Sequence, residues 1–224
     1  MDLLLTQHAE PTTDNTIART HLDFFPSIAW MVFAQRMKKI SIELYESFPR
    51  QTFRNRCLML SSDGVQMVSV PVVRGKDKKL LTKDVEICWK EDWNVRAWRA
   101  VYSNYGKTPF FEYYDLEIKK LLEHKHKFLL DMNYEIFEFL KKAFSLDIEL
   151  SFTEDFVRDE ENNYLNAFQP QKREEDGKLL SPYFQSFSDK FPFQTNLSSL
   201  DLLFSMGKEG GNYIKNGKLP LLQD

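Results

Sequence analysis

Phe24-Phe25-Pro26-Ser27-Ile28-Ala29-Trp30-Met31-Val32-Phe33-Ala34-Gln35-Arg36-Met37-Lys38-Lys39-Ile40-Ser41-Ile42-Glu43-Leu44-Tyr45 holds two periodicities in one short run. Pro26 biases Phe25 towards extended backbone, and Ser27 stands where a helix would begin. Ile28, Met31, Val32 and Gln35 follow helical spacing, which predicts a helix through about Lys38. From Lys39 to Tyr45 the period shortens to two. Ile40, Ile42 and Leu44 fall on one side and Ser41, Glu43 and Tyr45 on the other, as in a strand with one buried face. This junction begins an interleaving of helices and strands, without strict alternation, that points to the α/β class.

Working outward, Met1–Thr6 and Thr16–His21 are two candidate first strands that the sequence does not rank. Downstream, Phe53–Leu60 predicts a strand, Ser62-Asp63-Gly64 a hairpin turn, and Val65–Val73 its partner, with Pro71 marking an edge or a strand end. Gly75–Lys79 is a charged loop and Asp84–Cys88 a further short strand. The period then becomes helical. One helix runs from Trp93 to a left-handed cap at Gly106, a second opens at Pro109, and Phe128–Phe144 carries the cleanest amphipathic stripe. Leu146–Phe152 returns to strand. Glu154–Asp176 contains eight acidic and three basic residues, a net of -5, and is expected to be a long loop or lid. A last helix, Ser198–Met206, has Asn196 or Ser198 as its cap. The expected fold is α/β, a mixed sheet with an antiparallel hairpin, covered by helices, plus a helical region in the second half, in a single domain over residues 1–224.

Composition excludes several function classes. Thirty Lys+Arg against thirty-three Asp+Glu give a net charge of -3, which argues against coating a nucleic acid. The longest apolar run, Ile28–Ala34, is far short of the roughly 20 residues that cross a bilayer, and no secretory signal opens the sequence. The two cysteines, Cys57 and Cys88, read as reduced thiols in a cytoplasmic protein. None of the eight glycines forms a phosphate-cradling loop. His124 and His126, two apart at a helix junction, are expected to diverge, so no metal site is expected. No serine- or cysteine-nucleophile motif is present, so an enzyme would work through carboxylates, tyrosines or lysines.

Chemistry concentrates in two blocks. On a strand, Arg54 and Arg56 share a face, about 7 Å apart, at the rim of an apolar surface formed by Leu58 and Leu60. Such a pair suits a carboxylate, a phosphate or a pyrophosphate, or it pairs internally with Glu43, Glu46 or Asp84. Both readings stand. The second block joins Trp98-Arg99 to Pro109-Phe110-Phe111-Glu112-Tyr113-Tyr114, an aromatic wall with an arginine and a carboxylate that suits either a sugar or base pocket or the core-facing end of a helix.

In these blocks the chain resembles the WbqC-like family. The resemblance rests on Phe25-Pro26-x-Ile28; on Glu43, Glu46 and Gln51-Thr52-Phe53-Arg54-Asn55-Arg56-Cys57; on Trp98-Arg99 with Pro109–Tyr114; and on Pro182-Tyr183-Phe184-Gln185, Asp189-Lys190 and Asn196-Leu197-Ser198-x-x-Asp201-Leu202-Leu203-Phe204. It spans about residues 24–207. The resemblance implies a part in cell-surface polysaccharide metabolism, as a group transferase that binds a small anionic ligand such as a nucleotide sugar. It names no cofactor. Within it, Glu46 or Asp189 would supply acid–base function, Arg54 and Arg56 would hold the anion, and Trp98 and Tyr113 would stack on a ring. Gln51, Asn55, Arg99, Glu112 and Lys190 would line the same site. The family pattern has histidines where this chain has Tyr45, Ala97 and Phe191, and one near Gln169; its His-Gln-Pro-like opening is blurred here into Thr20-His21-Leu22-Asp23. That departure implies the alternative, a non-catalytic binding or scaffold protein whose arginines form internal ion pairs.

Overall fold

The computed structural model describes residues 17–49, 51–73, 80–156 and 162–222, so the Met1–Thr6 strand and the Gly75–Lys79 loop of the sequence reading lie outside the described residues. Strand β1 (Ala18–Thr20) leads through a buried loop into helix α1 (Ile28–Met37), which returns directly as strand β2 (Lys39–Ile42). Helix α1 starts at Ser27, whose Oγ accepts from Trp30 N, and every residue from Ile28 to Ala34 is buried. An all-round apolar helix of this kind belongs inside a protein. A short 3-10 turn, Phe53–Asn55, precedes the hairpin of strands β3 (Arg56–Ser61) and β4 (Gly64–Ser69). Ser61 pairs with Gly64 across the turn, and Gly64 takes φ +105°, a conformation open to glycine.

Helices α2 (Trp93–Tyr105), α3 (Phe111–Glu123) and α4 (Leu129–Phe144) follow, then strand β5 (Glu149–Phe152), the four-residue helix α5 (Arg173–Asp176), helix α6 (Ser199–Met206) and helix α7 (Gly210–Lys215). Strands β1, β2 and β5 form a parallel sheet with β2 at its centre, in register Ala18↔Ile40 and Ile40↔Leu150. The hairpin is a separate antiparallel sheet. The fold is therefore mixed α/β with helices in the second half, as expected, its parallel and antiparallel parts standing in two sheets. The helix of the opening stretch and the stripe of α4 meet in one core, where Trp30 packs edge-on against Phe137 at 5.8 Å. A smaller cluster of Phe53, Leu58, Leu60 and Leu197 lies under the hairpin, with Phe187 and Phe191 against it.

Several local expectations are corrected. Arg54 belongs to the 3-10 turn and Arg56 to β3, because Thr52 Oγ1 accepts from Arg54 N and caps a turn there, so the two arginines do not alternate along one strand. Phe25 takes φ 43°, not extended backbone, although proline follows it. Its neighbours fix that geometry: Ser198 Oγ donates to Phe25 O at 3.2 Å, Ser199 N donates to Pro26 O at 2.8 Å, and the Phe24 ring packs edge-on at 4.8 Å. Gly106 closes α2 in right-handed geometry, φ -58°. Thr82–Asp84 is a 3-10 turn, and Glu86 and Ile87 form isolated bridges where a short strand was expected. The described end of the acidic segment is anchored. Asn163 bridges to Arg19 on β1, and Phe168 is buried against Phe33 with centroids 5.1 Å apart.

Candidate functional site

The three parallel strands finish on one edge, and the residues that follow them are polar. His21 and Asp23 come after β1, Glu43 and Glu46 after β2, and Thr153 after β5. The ladder extends past the strands, with Glu43 N donating to Thr20 O at 2.9 Å and Thr153 N to Ile42 O at 3.0 Å. Glu43 is fully buried. Its Oε1 accepts from Tyr45 N at 2.8 Å and from Thr153 Oγ1 at 3.2 Å, and Arg19 Nη1 lies 3.7 Å from its Oε2. Asn133 on α4 ties the neighbouring loops together, donating from Nδ2 to Leu22 O at 3.1 Å and to Arg54 O at 2.8 Å. Open α/β sheets take their ligands at this carboxyl-terminal edge.

Two side chains on the edge stand out. His21 and Asp23 have no solvent exposure, and His21 Nε2 lies 3.2 Å from Asp23 Oδ1. Yet neither ring nitrogen and neither carboxylate oxygen is in hydrogen-bond geometry with a described protein group. Glu43 Oε2, Arg54 Nε and Asn133 Oδ1 share that condition. An unsatisfied buried polar group costs about 1–3 kcal/mol, so native proteins rarely gather several in one place without use. The positive φ of Phe25, two residues after Asp23, adds backbone strain at the same loop.

The residues expected from sequence separate into three places. Arg54 is 1% exposed, its Nη2 bonds Glu46 Oε1 in a close ion pair, and its Nη1 donates to Thr52 Oγ1 at 2.8 Å. Asn55 is buried beside it, with Nδ2 on Val70 O at 2.9 Å, and Arg56 is half-buried at the start of β3. Gln51 is exposed and accepts from Gln171 Nε2 at 3.2 Å. On the α2–α3 pair, Trp98 stacks on Phe111 with centroids 6.1 Å apart, while Arg99, Glu112 and Tyr113 are exposed. Asp189 and Lys190 are exposed in the loop that packs Phe187 and Phe191 under the hairpin, with Lys190 Nζ 6.0 Å above the Phe187 ring. Among the described residues no hydrogen bond, ion pair or ring contact links Trp98, Arg99, Glu112 or Tyr113 to Arg54 or Glu46.

His21, Asp23 and Glu43 were missed as a site. Their signal was present: each is a polar residue one to three places beyond a short strand, where side chains are delivered to the sheet edge. Of the four positions where the resemblance places a histidine, Tyr45 alone follows a strand of the parallel sheet. Ala97 is buried on α2, Phe191 lies under the hairpin, and Gln169 donates to Leu165 O.

A second buried polar cluster joins α6 to the segment before it. Asp201 Oδ2 accepts from Tyr183 Oη at 2.5 Å and from Gln185 Nε2 at 3.0 Å. Burial raises the Asp201 carboxyl above its usual range against these hydrogen bonds, and burial together with the Asp201 charge raises Tyr105 and Tyr183. Elsewhere, burial lifts Asp176, at the end of α5, to about 6. A third cluster corrects an expectation. His124 and His126 do not diverge, because they occupy the turn between α3 and α4 and not a helix, and both reach Glu135.

No helix among the described residues is long and apolar enough to cross a membrane. No match is found among curated proteins, nor among solved structures. A family model described as the WbqC-like protein family matches residues 23–183, from Asp23 through Glu43, Arg54, Trp98 and Glu112 to Tyr183. That span covers well over half of the sequence, and the chain belongs to the WbqC-like family.

Proposed function

We propose that this protein is an enzyme, a group transferase of cell-surface polysaccharide metabolism, and that it works at the carboxyl-terminal edge of its parallel sheet. The observation that carries the reading is the buried His21–Asp23 pair, whose polar atoms lack hydrogen-bond partners at the edge where α/β proteins react. In that role His21 takes the proton of an acceptor hydroxyl as its oxygen bonds to the transferred sugar and the sugar's bond to the nucleotide breaks, and Asp23 stabilises the charge gained by the ring. Glu43, held by Thr153 and Tyr45 N at the same edge, is the carboxylate that this reading assigns to a sugar hydroxyl. The edge carries Arg19 and Arg54 against Asp23, Glu43 and Glu46, so the reacting part of the ligand is better matched by a neutral, hydroxyl-rich group than by the phosphates.

The scaffold reading keeps one observation in its favour. Arg54 is sealed against Glu46 and Thr52, as an arginine with a purely internal role would be. A thermal-shift panel of nucleotides and nucleotide sugars separates the two. A true ligand at a hundredfold excess over Kd adds about 2.7 kcal/mol, or roughly 5–10 °C for a chain of this size. The shift is expected with at least one nucleotide sugar and is expected to persist in Asp23→Asn, in which transfer itself is expected to be lost. A flat response to every compound supports the scaffold, and transfer activity that survives Asp23→Asn refutes the assignment of the site.

A further inference from the structure

We propose that His124, His126 and Glu135 form a binding site for one divalent transition-metal ion of the zinc class, on the turn between α3 and α4 and independent of the sheet-edge site. His124 Nδ1 lies 2.9 Å and His126 Nε2 2.5 Å from the same oxygen, Glu135 Oε2. All three ligand atoms fall within 4.8 Å of one another. A tetrahedral ion bound at about 2.0–2.1 Å holds its ligands about 3.3 Å apart, so a small outward swing of the Glu135 carboxylate makes room for it.

The spacing works because the chain here is not helical. Helix α3 stops at Glu123, His124 takes extended backbone at φ -66° and ψ 116°, and His126 N donates to His124 O at 3.0 Å. That bond closes a three-residue turn at Lys125, and across it the two rings sit 4.1 Å apart between centroids. Glu135 then arrives from the second turn of α4. The turn is braced from outside, with Trp89 Nε1 donating to His126 O at 2.7 Å, Ile87 N to Lys127 O at 2.9 Å and Leu129 N to Val85 O at 2.9 Å. Ligands on a braced turn lose little entropy when an ion binds.

The donor set chooses the ion. Two imidazole nitrogens and one carboxylate suit zinc, nickel, copper or cobalt, whereas calcium and magnesium require a shell of oxygens. His124 and Glu135 are partly exposed on the groove between α3 and α4, so ions reach the site from solvent and a water can complete the coordination.

Titration of zinc chloride into the chelator-stripped full chain at neutral pH, followed calorimetrically, tests the proposal. The wild type is expected to bind one ion. His124→Ala/His126→Ala is expected to weaken that site at least tenfold while far-UV circular dichroism of the metal-free protein is unchanged. Glu135→Gln keeps an acceptor for both rings, so it preserves the turn and still weakens zinc at least tenfold. Absence of zinc binding to the wild type, or wild-type affinity in Glu135→Gln or in the double variant, overturns the proposal.

Discussion

Replacing Arg54 by methionine, Glu46 by glutamine, and then both, measures what this buried arginine is for. The Arg54 guanidinium is almost wholly removed from water and meets Glu46 on one side and Thr52 Oγ1 on the other. Breaking a buried ion pair by removing one partner costs about 3–5 kcal/mol, because the survivor is left uncompensated. Glu46→Gln strands the guanidinium and is expected to cost about 3 kcal/mol, the lower end, since the Glu46 side chain is 15% exposed and water reaches that side. Arg54→Met leaves a carboxylate that can turn to solvent, and its expected cost is about 2 kcal/mol. The double variant removes both charges together and is expected to lie within about 1–2 kcal/mol of the wild type, a coupling of roughly 3 kcal/mol. Urea unfolding followed by fluorescence of the four tryptophans reads all four proteins, with equal slopes confirming a common unfolded state. Additive losses, with coupling below about 0.5 kcal/mol, would show that Glu46 is not the partner that holds Arg54 and would return the arginine to the ligand.

Other outcomes are fixed by local geometry. Tyr183→Phe deletes the 2.5 Å donor to buried Asp201 and is expected to lower stability by about 2 kcal/mol in the same assay; a loss under about 0.5 kcal/mol would contradict the bond. Asp176 has its carboxyl raised by burial to about 6, so the folded state prefers it protonated; the penalty is absent below the usual carboxylate range near 3.8, grows between the two values, and is full above 6. Asp176→Asn should therefore stabilise at pH 8 by about 1 kcal/mol, after allowance for its partial exposure, and change nothing at pH 3.5; equal effects at both pH values would contradict it. Burial also pushes the Cys57 thiol far up. A thiol reagent added at pH 8 is thus expected to leave Cys57 unmodified until the protein is unfolded, and mass spectrometry of native protein checks this.

What the sequence made legible was periodicity. The change from helical to alternating spacing at Lys39 located α1 and β2 together, and the Ser-Asp-Gly turn located the hairpin, because both signals are local. Arg54 was misplaced for a physical reason. Its backbone is turned by the Thr52 cap, a competition between side chain and ladder that alternation alone does not reveal. Phe25 is set by contacts with Ser198 and Ser199, more than 170 positions away, so proline adjacency could not fix it. The same distance problem hid the site. His21, Glu43 and Thr153 become neighbours only when β1, β2 and β5 align in parallel, and nothing in their separate stretches marks them as partners. His124 and His126 were read with helical spacing and met Glu135 instead, since the helix ends one residue before them.

Equilibrium unfolding of the double variant His21→Gln/Asp23→Asn tests most directly whether those two side chains are kept at the sheet edge for chemistry. Removing both together leaves neither partner uncompensated, and groups held for function at the expense of the fold can be lost without cost, so the double variant is expected to match the wild type within about 1 kcal/mol or to exceed it. A loss of about 3–5 kcal/mol would mean that the pair holds the structure together, and the account of the site would fall.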